Sequence, residues 1–258
     1  MCEKPLDIKT AKIDAALEAC KKYGVKLGGI FQNRLNPASK AIKAAIDNGE
    51  VGRLYLGNIQ VKWWRSQEYY DRGGWRGTWE MDGGGSLMNQ SVHTIDLFQW
   101  FMGPVKSVYA KTAIYAHKIE TEDAGLALVT FKNGALGTII GTTAAYPGLD
   151  TTVQIHGENG SIYMQDGKIR VWRLRGEREA EVEREMIERF SGKAAGSGAS
   201  SDPEAIATTG HAGQVQDMVD AILEDRDPVV PGAEARHAVQ IIEAIYESAR
   251  TGREVELD

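Results

Sequence analysis

Tight two-residue turns between short apolar segments constrain the fold of this chain more than any other feature. Asn133-Gly134, Asn159-Gly160 and Asp166-Gly167 each separate two β-prone segments, and such pairs are typical of β-hairpins, which join antiparallel neighbours. The pattern therefore predicts a meandering, largely antiparallel open sheet. Its strands are predicted over residues 53–64, 105–116, 124–131, 136–143, 151–156, 161–164 and 169–174.

Helical periodicity before, between and after these strands predicts helices packed on one face of the sheet, which is an α+β arrangement. The predicted helices cover residues 7–23, 38–48, 86–102, 211–224 and 234–251. Residues 25–31 follow Gly24 as a short apolar strand, so this part is half of a β-α-β unit. Residues 175–190 fit a strand extension or a solvated helix. Residues 191–210 are rich in Gly, Ala and Ser, which predicts a mobile loop.

Charge and composition exclude several functional classes. The net charge of −6 and the absence of a dense basic run argue against nucleic acid as a partner. No segment reaches the roughly 18 apolar residues of a membrane span, so no membrane partner is predicted. Cys2 and Cys20 have neither disulfide-framework nor metal-ligand spacing. We therefore predict a cytoplasmic protein without a metal site.

A polar stripe on the helix after three glycines is the best candidate for chemistry. Gly83-Gly84-Gly85 leads into this helix, where Asn89, His93 and Asp96 recur at a spacing that places them on one face. Histidine supplies a proton acceptor near neutral pH, with an unperturbed pKa of about 6.5. The alternative is a helix whose histidine is simply satisfied on its polar side. Spacing alone leaves both interpretations open.

Three segments together resemble one family of oxidoreductases. They are Cys2-Glu3-Lys4-Pro5-Leu6, the glycines with Asn89, His93 and Asp96, and residues 244–252. The chain resembles the glucose-fructose oxidoreductase / inositol dehydrogenase / MocA (Gfo/Idh/MocA) family over essentially its whole length. The resemblance implies an N-terminal Rossmann domain that binds NAD or NADP, followed by a C-terminal domain with a large open sheet. It implies that residues 1–35 are the C-terminal remnant of the Rossmann domain and that residues 36–258 form the substrate and oligomerisation domain.

The resemblance also assigns roles to individual residues. Lys4 is expected near the nicotinamide and the substrate oxygen, where it stabilises alkoxide charge, and His93 is expected to accept the proton. Many relatives have Asp at the position of Asn89, and an amide can only orient its neighbours. Glu3, Lys4, Pro5 and Asn33 are expected on the cofactor side.

Arginine and aromatic residues are the candidates for substrate contact, because they suit stacking on a sugar or base and pairing with carboxylate or phosphate. The expected substrate-binding residues are Asn89, Arg34, Arg65, Tyr70, Trp75 and Arg76. Arg34 has an equal alternative as a domain-interface ion pair, and the loop of residues 63–79 as a structural loop. His211 begins a helix and could reach the substrate, although a capping or exposed role is the favoured prediction; His117, His156 and His237 are predicted to be structural.

Two functions remain open at this point. The first is an NAD(P)-dependent dehydrogenase of a sugar, sugar-nucleotide or cyclitol hydroxyl, and residues 87–90 resemble members that act on nucleotide-linked sugars. The alternative is a non-catalytic sugar- or polyol-binding or oligomerisation domain. The glycine-rich phosphate loop of a Rossmann domain does not occur near the start, so we expect a truncated chain that by itself holds NAD or NADP weakly. A homodimer or homotetramer through the open sheet face is expected.

Overall fold

A single eight-stranded sheet organises the molecule. The computed structural model describes residues 1–192, 200–201 and 209–258. The sheet order is β7-β6-β5-β1-β4-β3-β2-β8. The strands are β1 (Leu54–Lys62), β2 (Val105–Ala113), β3 (Ala124–Phe131), β4 (Leu136–Thr142), β5 (Thr151–Gly157), β6 (Gly160–Gln165), β7 (Lys168–Leu174) and β8 (Val255–Glu256).

The predicted hairpins are confirmed, and one pairing departs from the antiparallel pattern. The turns at Asn133-Gly134, Asn159-Gly160 and Asp166-Gly167 join β3 to β4, β5 to β6 and β6 to β7, all antiparallel. The exception is β1, which pairs parallel with β4 on one side and antiparallel with β5 on the other. The sheet is thus two antiparallel groups of strands, joined through one central strand.

Seven α-helices lie in the described part of the chain, and the two most central ones, α4 and α7, pack on the same face of the sheet. The helices are α1 (Thr10–Tyr23), α2 (Pro37–Asp47), α3 (Gln67–Asp71), α4 (Val92–Met102), α5 (Glu179–Arg189), α6 (Thr209–Leu223) and α7 (Gly232–Thr251). No helix of residues 1–192 and 209–258 is long and apolar enough to cross a membrane. The α+β class is therefore confirmed.

Glycines in the sheet let α4 approach it closely. A Cβ at Gly57 would lie 2.6 Å from the Phe98 ring, and one at Gly137 would lie 2.7 Å from the same ring. Phe98 also meets Phe131 edge-on, with 5.2 Å between the ring centroids. Any larger side chain at these glycines would push the helix away from the sheet. This contact fixes the depth of the helix that carries His93.

The opposite sheet face exposes large apolar side chains. Along β3, Leu126 and Leu128 are 53% and 61% exposed, while Ala127 and Val129 are 4% and 2% exposed. This alternation is that of a strand with only one face against the core. The expectation of an uncovered apolar face therefore holds for the single chain.

Several local predictions were wrong. Residues 25–31 form no strand; in the described part of the chain, Gly28 and Gly29 make only isolated bridges to Pro231 and Cys2. Helix α1 begins at Thr10 instead of residue 7, because Glu243 of α7 accepts the hydrogen bonds of the Thr10 backbone N–H and hydroxyl. Residues 175–190 resolve to a helix, and the strand β8 was not predicted. The loop predicted over residues 191–210 lies mostly outside the described residues.

The predicted helix of residues 86–102 has two parts. Ser86–Ser91 is a π-helix and Val92–Met102 is α-helical. A π-turn shifts main-chain hydrogen bonds by one residue relative to an α-helix, and such turns are frequent at functional sites. Asn89 lies on the π-helix and His93 on α4, so they do not share the regular helical stripe that the spacing predicts.

Candidate active site

An open cavity of about 1070 Å³ lies where the N-terminal segment, the π-helix, the start of α6 and the loop after β1 meet. Most of the site residues predicted from the sequence line it. They are Glu3, Lys4, Asn33, Arg65, Trp75, Arg76, Asn89 and His93. Pro5 lines a smaller neighbouring cavity of about 390 Å³. Arg34 and Tyr70 line neither of the two cavities.

Lys4 is held by the π-helix. Its Nζ donates a hydrogen bond to the main-chain oxygen of Asn89, at 2.7 Å. Burial lowers the pKa of the Lys4 ammonium, and the carboxylates of Asp82 and Glu3 oppose that shift. The site therefore places a partly desolvated cation at the wall of the cavity, where it can stabilise negative charge that develops on a bound molecule.

His93 faces the same cavity as a neutral imidazole. Burial, followed by the positive charges of Lys4 and His211, lowers the pKa of His93 well below its ordinary value. Its Nδ1 has no hydrogen-bond partner among the described residues, and its ring meets Phe31 edge-on at 5.6 Å. Because Nδ1 is buried, the nitrogen of this neutral imidazole that can accept a proton from a ligand is Nε2, in the tautomer that carries its hydrogen on Nδ1.

Asn89 contacts a carboxylate that sequence reasoning missed. Its Nδ2 donates to Asp82 Oδ1 at 2.7 Å, and Asp82 Oδ2 accepts the Gly77 backbone N–H at 2.8 Å. Burial raises the pKa of Asp82. Asp82 directly precedes the three glycines, so its position in the sequence was the available signal.

His211 lies in the cavity wall, and the prediction of a capping or exposed role was wrong. It lies in the first turn of α6, lines the main cavity, and its Nε2 is 3.6 Å from Glu3 Oε1. Its Nδ1 is buried without a hydrogen-bond partner among the described residues. The less favoured alternative, a histidine at the start of a helix that could reach the substrate, agrees with this position.

Arg34 is a structural residue, and its predicted contact with substrate is wrong. The guanidinium is 1% exposed and donates two hydrogen bonds to the Asp96 carboxylate, at 2.8 and 2.6 Å. Asp96 is fully buried. The ion-pair alternative is therefore correct, although the pair joins the 3₁₀ turn Gln32–Leu35 to α4. Because the Asp96 carboxylate is paired with Arg34, it does not face the cavity, and α4 supplies no carboxylate as a partner for His93.

Tyr70 is also structural, and its neighbour Tyr69 lines the cavity instead. The Tyr70 hydroxyl is 2.7 Å from Thr143 Oγ1, and its ring lies against His117 at 4.8 Å. His117 is structural, as predicted: its Nδ1 is 2.9 Å from an Asp123 carboxylate oxygen and its Nε2 is 2.7 Å from the main-chain oxygen of Arg65.

A basic and aromatic wall forms one side of the main cavity. The Arg76 guanidinium lies 4.7 Å from the ring centroid of Tyr69 and 4.6 Å from that of Trp75. Arg65 lies 4.9 Å from the Trp63 ring. All five residues line the cavity. Such rings can stack on a sugar or a base, and arginines beside them can pair with planar anionic groups. Arg65 is 3% exposed and already donates to the main-chain oxygens of Trp64 and Ser200, whereas Arg76 is half-buried.

Two of the three glycines, Gly84 and Gly85, lie against Tyr246 and Glu122, and the buried carboxylate of Glu122 was not revealed by the sequence. Glu122 Oε2 accepts the Gly85 N–H at 3.0 Å, and its Oε1 accepts the Leu87 N–H at 2.8 Å and the Tyr246 hydroxyl at 3.1 Å. Burial raises the pKa of Glu122 to about 7. A Cβ at Gly85 would lie 1.8 Å from the main-chain oxygen of Glu122, and one at Gly84 2.0 Å from the Tyr246 hydroxyl. Only glycine fits where the loop touches these two residues.

Many of the other polar residues of the cavity wall carry amide or amine groups. Gln32, Gln90, Lys4 and Asn33 line it together with His93 and His211. The side-chain oxygens of Gln32 and Gln90 and the Nδ1 atoms of both histidines are buried in that wall without hydrogen-bond partners among the described residues. A wall with amide, amine and imidazole groups fits an organic ligand rich in polar groups. In the described part of the chain, no group of three or more His, Cys, Asp or Glu side chains could hold a metal ion.

Known proteins match this chain in sequence and in structure. Residues 39–163 match the GFO/IDH/MocA C-terminal domain. The WlbA dehydrogenase of Bordetella pertussis, solved with NADH and UDP-GlcNAcA, is 33% identical with a TM-score of 0.83; the match covers 99% of this chain and 70% of that one. The uncharacterized oxidoreductase YrbE of Bacillus subtilis is 33% identical over 165 residues, which are 62% of this chain and 46% of YrbE.

A characterised relative matches more distantly. Myo-inositol 2-dehydrogenase of Thermotoga maritima is 28% identical over 167 residues, which are 63% of this chain and 48% of that protein. The chain thus spans about half the length of the first curated relatives that it matches.

Proposed function

The chain belongs to the GFO/IDH/MocA family, and on that premise we propose that it is part of an NAD- or NADP-dependent dehydrogenase that oxidises a hydroxyl of a sugar, sugar nucleotide or cyclitol. The observation that carries this proposal is the meeting of Lys4 and His93 in one cavity wall. One is a desolvated ammonium held by the Asn89 carbonyl, and the other is a neutral imidazole that lines the same cavity.

These two side chains divide the work that such an oxidation requires. A bound nicotinamide dinucleotide would supply the hydride acceptor. His93 takes the hydroxyl proton as the carbonyl forms, and Lys4 holds the substrate oxygen and stabilises its negative charge. Asn89 cannot exchange protons and orients its neighbours instead. Glu3, Lys4, Pro5 and Asn33 are the residues that we propose on the cofactor side.

A sugar nucleotide is the substrate class that we favour. The WlbA dehydrogenase, 33% identical to this chain and solved with UDP-GlcNAcA, supports this class. The basic and aromatic wall of the cavity would suit the phosphates and the base of such a ligand. Arg65, Trp75 and Arg76 are the proposed substrate contacts in the basic and aromatic wall, together with Asn89.

The domain organisation is proposed on the same basis. Residues 1–35 would complete a dinucleotide-binding domain, and residues 36–258 would form the substrate and oligomerisation domain. The exposed apolar face around Leu126 and Leu128 supports a homodimer or homotetramer built on the sheet.

The test is a substrate screen with the natural full-length protein, in which reduction of NAD and of NADP is followed by absorbance with UDP-sugars, inositols and free sugars. His93→Ala should reduce kcat by roughly 10² to 10⁴, the usual contribution of a general base. Asn89→Ala should cost less, about 1–3 kcal/mol for a buried hydrogen-bond partner. If Asn89→Ala is the more damaging change, His93 is not the base. Calorimetric binding of a UDP-sugar without turnover would support the non-catalytic alternative.

A further inference from the structure

Two cavities meet at Lys4 and Asn89. Both residues line the main cavity and also the smaller one of about 390 Å³. Asp82 lines the smaller cavity and not the main one, and it is 7% exposed. Asp82 is therefore the buried carboxylate that lies behind the part of the wall that carries Lys4.

Asn89 joins the carboxylate to the cation. Its amide donates to Asp82 Oδ1 at 2.7 Å, while its main-chain oxygen accepts the Lys4 ammonium at 2.7 Å. The second oxygen of Asp82 is fixed by the Gly77 N–H. One residue of the π-helix thus holds both charged groups in a defined geometry.

Opposing effects act on the protonation of Lys4, so the position of its charged neighbours is important. Burial favours the neutral amine, whereas the negative charges of Asp82 and Glu3 favour the ammonium, Asp82 more strongly. On the other side, the cationic form of Lys4 disfavours a proton on His93, and Arg76 lies near Asp82. Glu3 is exposed and 3.6 Å from His211, so it is the weaker of the two carboxylates for this purpose.

We propose that Asp82 is a positioning residue: through the Asn89 bridge it keeps Lys4 in its ammonium form and aimed into the main cavity. The negative charge that favours the ammonium comes from Asp82, which is one hydrogen bond away from the π-helix residue that accepts the Lys4 hydrogen bond. The role of the Lys4 ammonium in stabilising charge on a substrate oxygen rests on the proposed function. The charge state of Lys4 itself does not.

The charge state can be measured without substrate. In the natural full-length protein, the rate at which acetic anhydride acylates Lys4 is followed against pH by peptide mass spectrometry, because only the neutral amine reacts. Asp82→Asn should move the midpoint of this titration down by roughly one to three pH units, the usual effect of removing a close opposite charge. Glu80→Gln is the matched control, because Glu80 is exposed and lines the same smaller cavity. Its midpoint should not move.

An unchanged midpoint in Asp82→Asn, or an equal shift in Glu80→Gln, would overturn the proposal. If Asp82→Asn does not fold, Asn89→Ala removes the bridge while the carboxylate stays, and its midpoint should shift in the same direction; no shift would be equally decisive. In turnover assays, the decline of kcat/KM at high pH should move to lower pH in Asp82→Asn. In Asp82→Glu it should be back at the pH of the unmodified protein. A shifted acylation midpoint in a protein that turns over no hydroxyl substrate would refute the dehydrogenase function and leave the role of Asp82 intact.

Discussion

Removal of the Asp96 carboxylate should be one of the most destabilising single changes in this chain. Arg34 and Asp96 are 1% and 0% exposed and share two hydrogen bonds of 2.8 and 2.6 Å. Asp96→Ala leaves a buried guanidinium without its counter-charge, which typically costs 3–5 kcal/mol. Two contacts reduce this cost: Glu234 lies 3.6 Å from Arg34, and the Trp100 ring lies 5.3 Å away. We therefore expect a loss near the lower end, about 3 kcal/mol.

Urea unfolding followed by circular dichroism measures this loss directly. The control is Asp47→Ala, which removes the exposed partner of Lys43 and should change the free energy of unfolding by less than about 0.5 kcal/mol. Replacing both buried partners, as Arg34→Met with Asp96→Leu, should recover most of the stability, because no charge is then left unpaired. A loss below about 1 kcal/mol in Asp96→Ala, or a double variant as unstable as the single one, would refute this reasoning.

Three further predictions concern the glycine loop, its carboxylate and the open sheet face. Gly85→Ala should destabilise the protein by about 1–3 kcal/mol or more, because its Cβ would lie 1.8 Å from the main-chain oxygen of Glu122. Gly176→Ala is the control: a Cβ there has no atom within 4 Å, so the variant should be neutral in thermal unfolding. The pKa of Glu122 is raised from 4.5 to about 7 in the folded state, so the folded state retains a proton that the unfolded state has lost. Stability should therefore fall as pH rises from about 4.5 to 7, and Glu122→Gln should flatten that part of the pH profile in urea titrations; parallel profiles would contradict it. Leu126→Glu with Leu128→Glu should give a monomer by light scattering, and a wild-type protein that is already monomeric would exclude an oligomer on this face.

The sheet was predictable because its signals are local. Asn-Gly and Asp-Gly turns fix which strands are neighbours. Which face of β3 is buried could not be predicted from its sequence, because Leu126 and Leu128 are exposed while the smaller Ala127 and Val129 are buried. The parallel pairing of β1 with β4 was not predictable in this way, because no turn joins them. Residues 25–31 have the apolar composition of a strand, but in the described part of the chain only Gly28 and Gly29 make single bridges, so no continuous ladder forms.

The candidate site could be predicted only for those residues whose side-chain type and local motif already point to the chemistry. Lys4, Asn89 and His93 were found from the resemblance and the structure brings them together. Tyr69 and Tyr70 show the limit, since the choice between adjacent tyrosines depends on how the short helix α3 is rotated. Glu122 and His211 act through partners far along the chain, and Arg34 is occupied by a residue of another element. Their roles are set by tertiary contacts that no spacing records.

The central position of β1 has a consequence for how the cavity is assembled. Its wall takes Thr151, Val153 and Met164 from β5 and β6, on one side of β1, while the π-helix packs Leu87 against Gly125 and Gly141 of β3 and β4, on the other side. The hairpins on each side can form from local contacts, but β1 joins them through partners distant in sequence, and such pairings form slowly. We therefore expect the cavity to appear only when the whole sheet is joined. A ligand in it should slow hydrogen exchange equally on both sides of β1, and protection confined to one side would show that the two halves open independently.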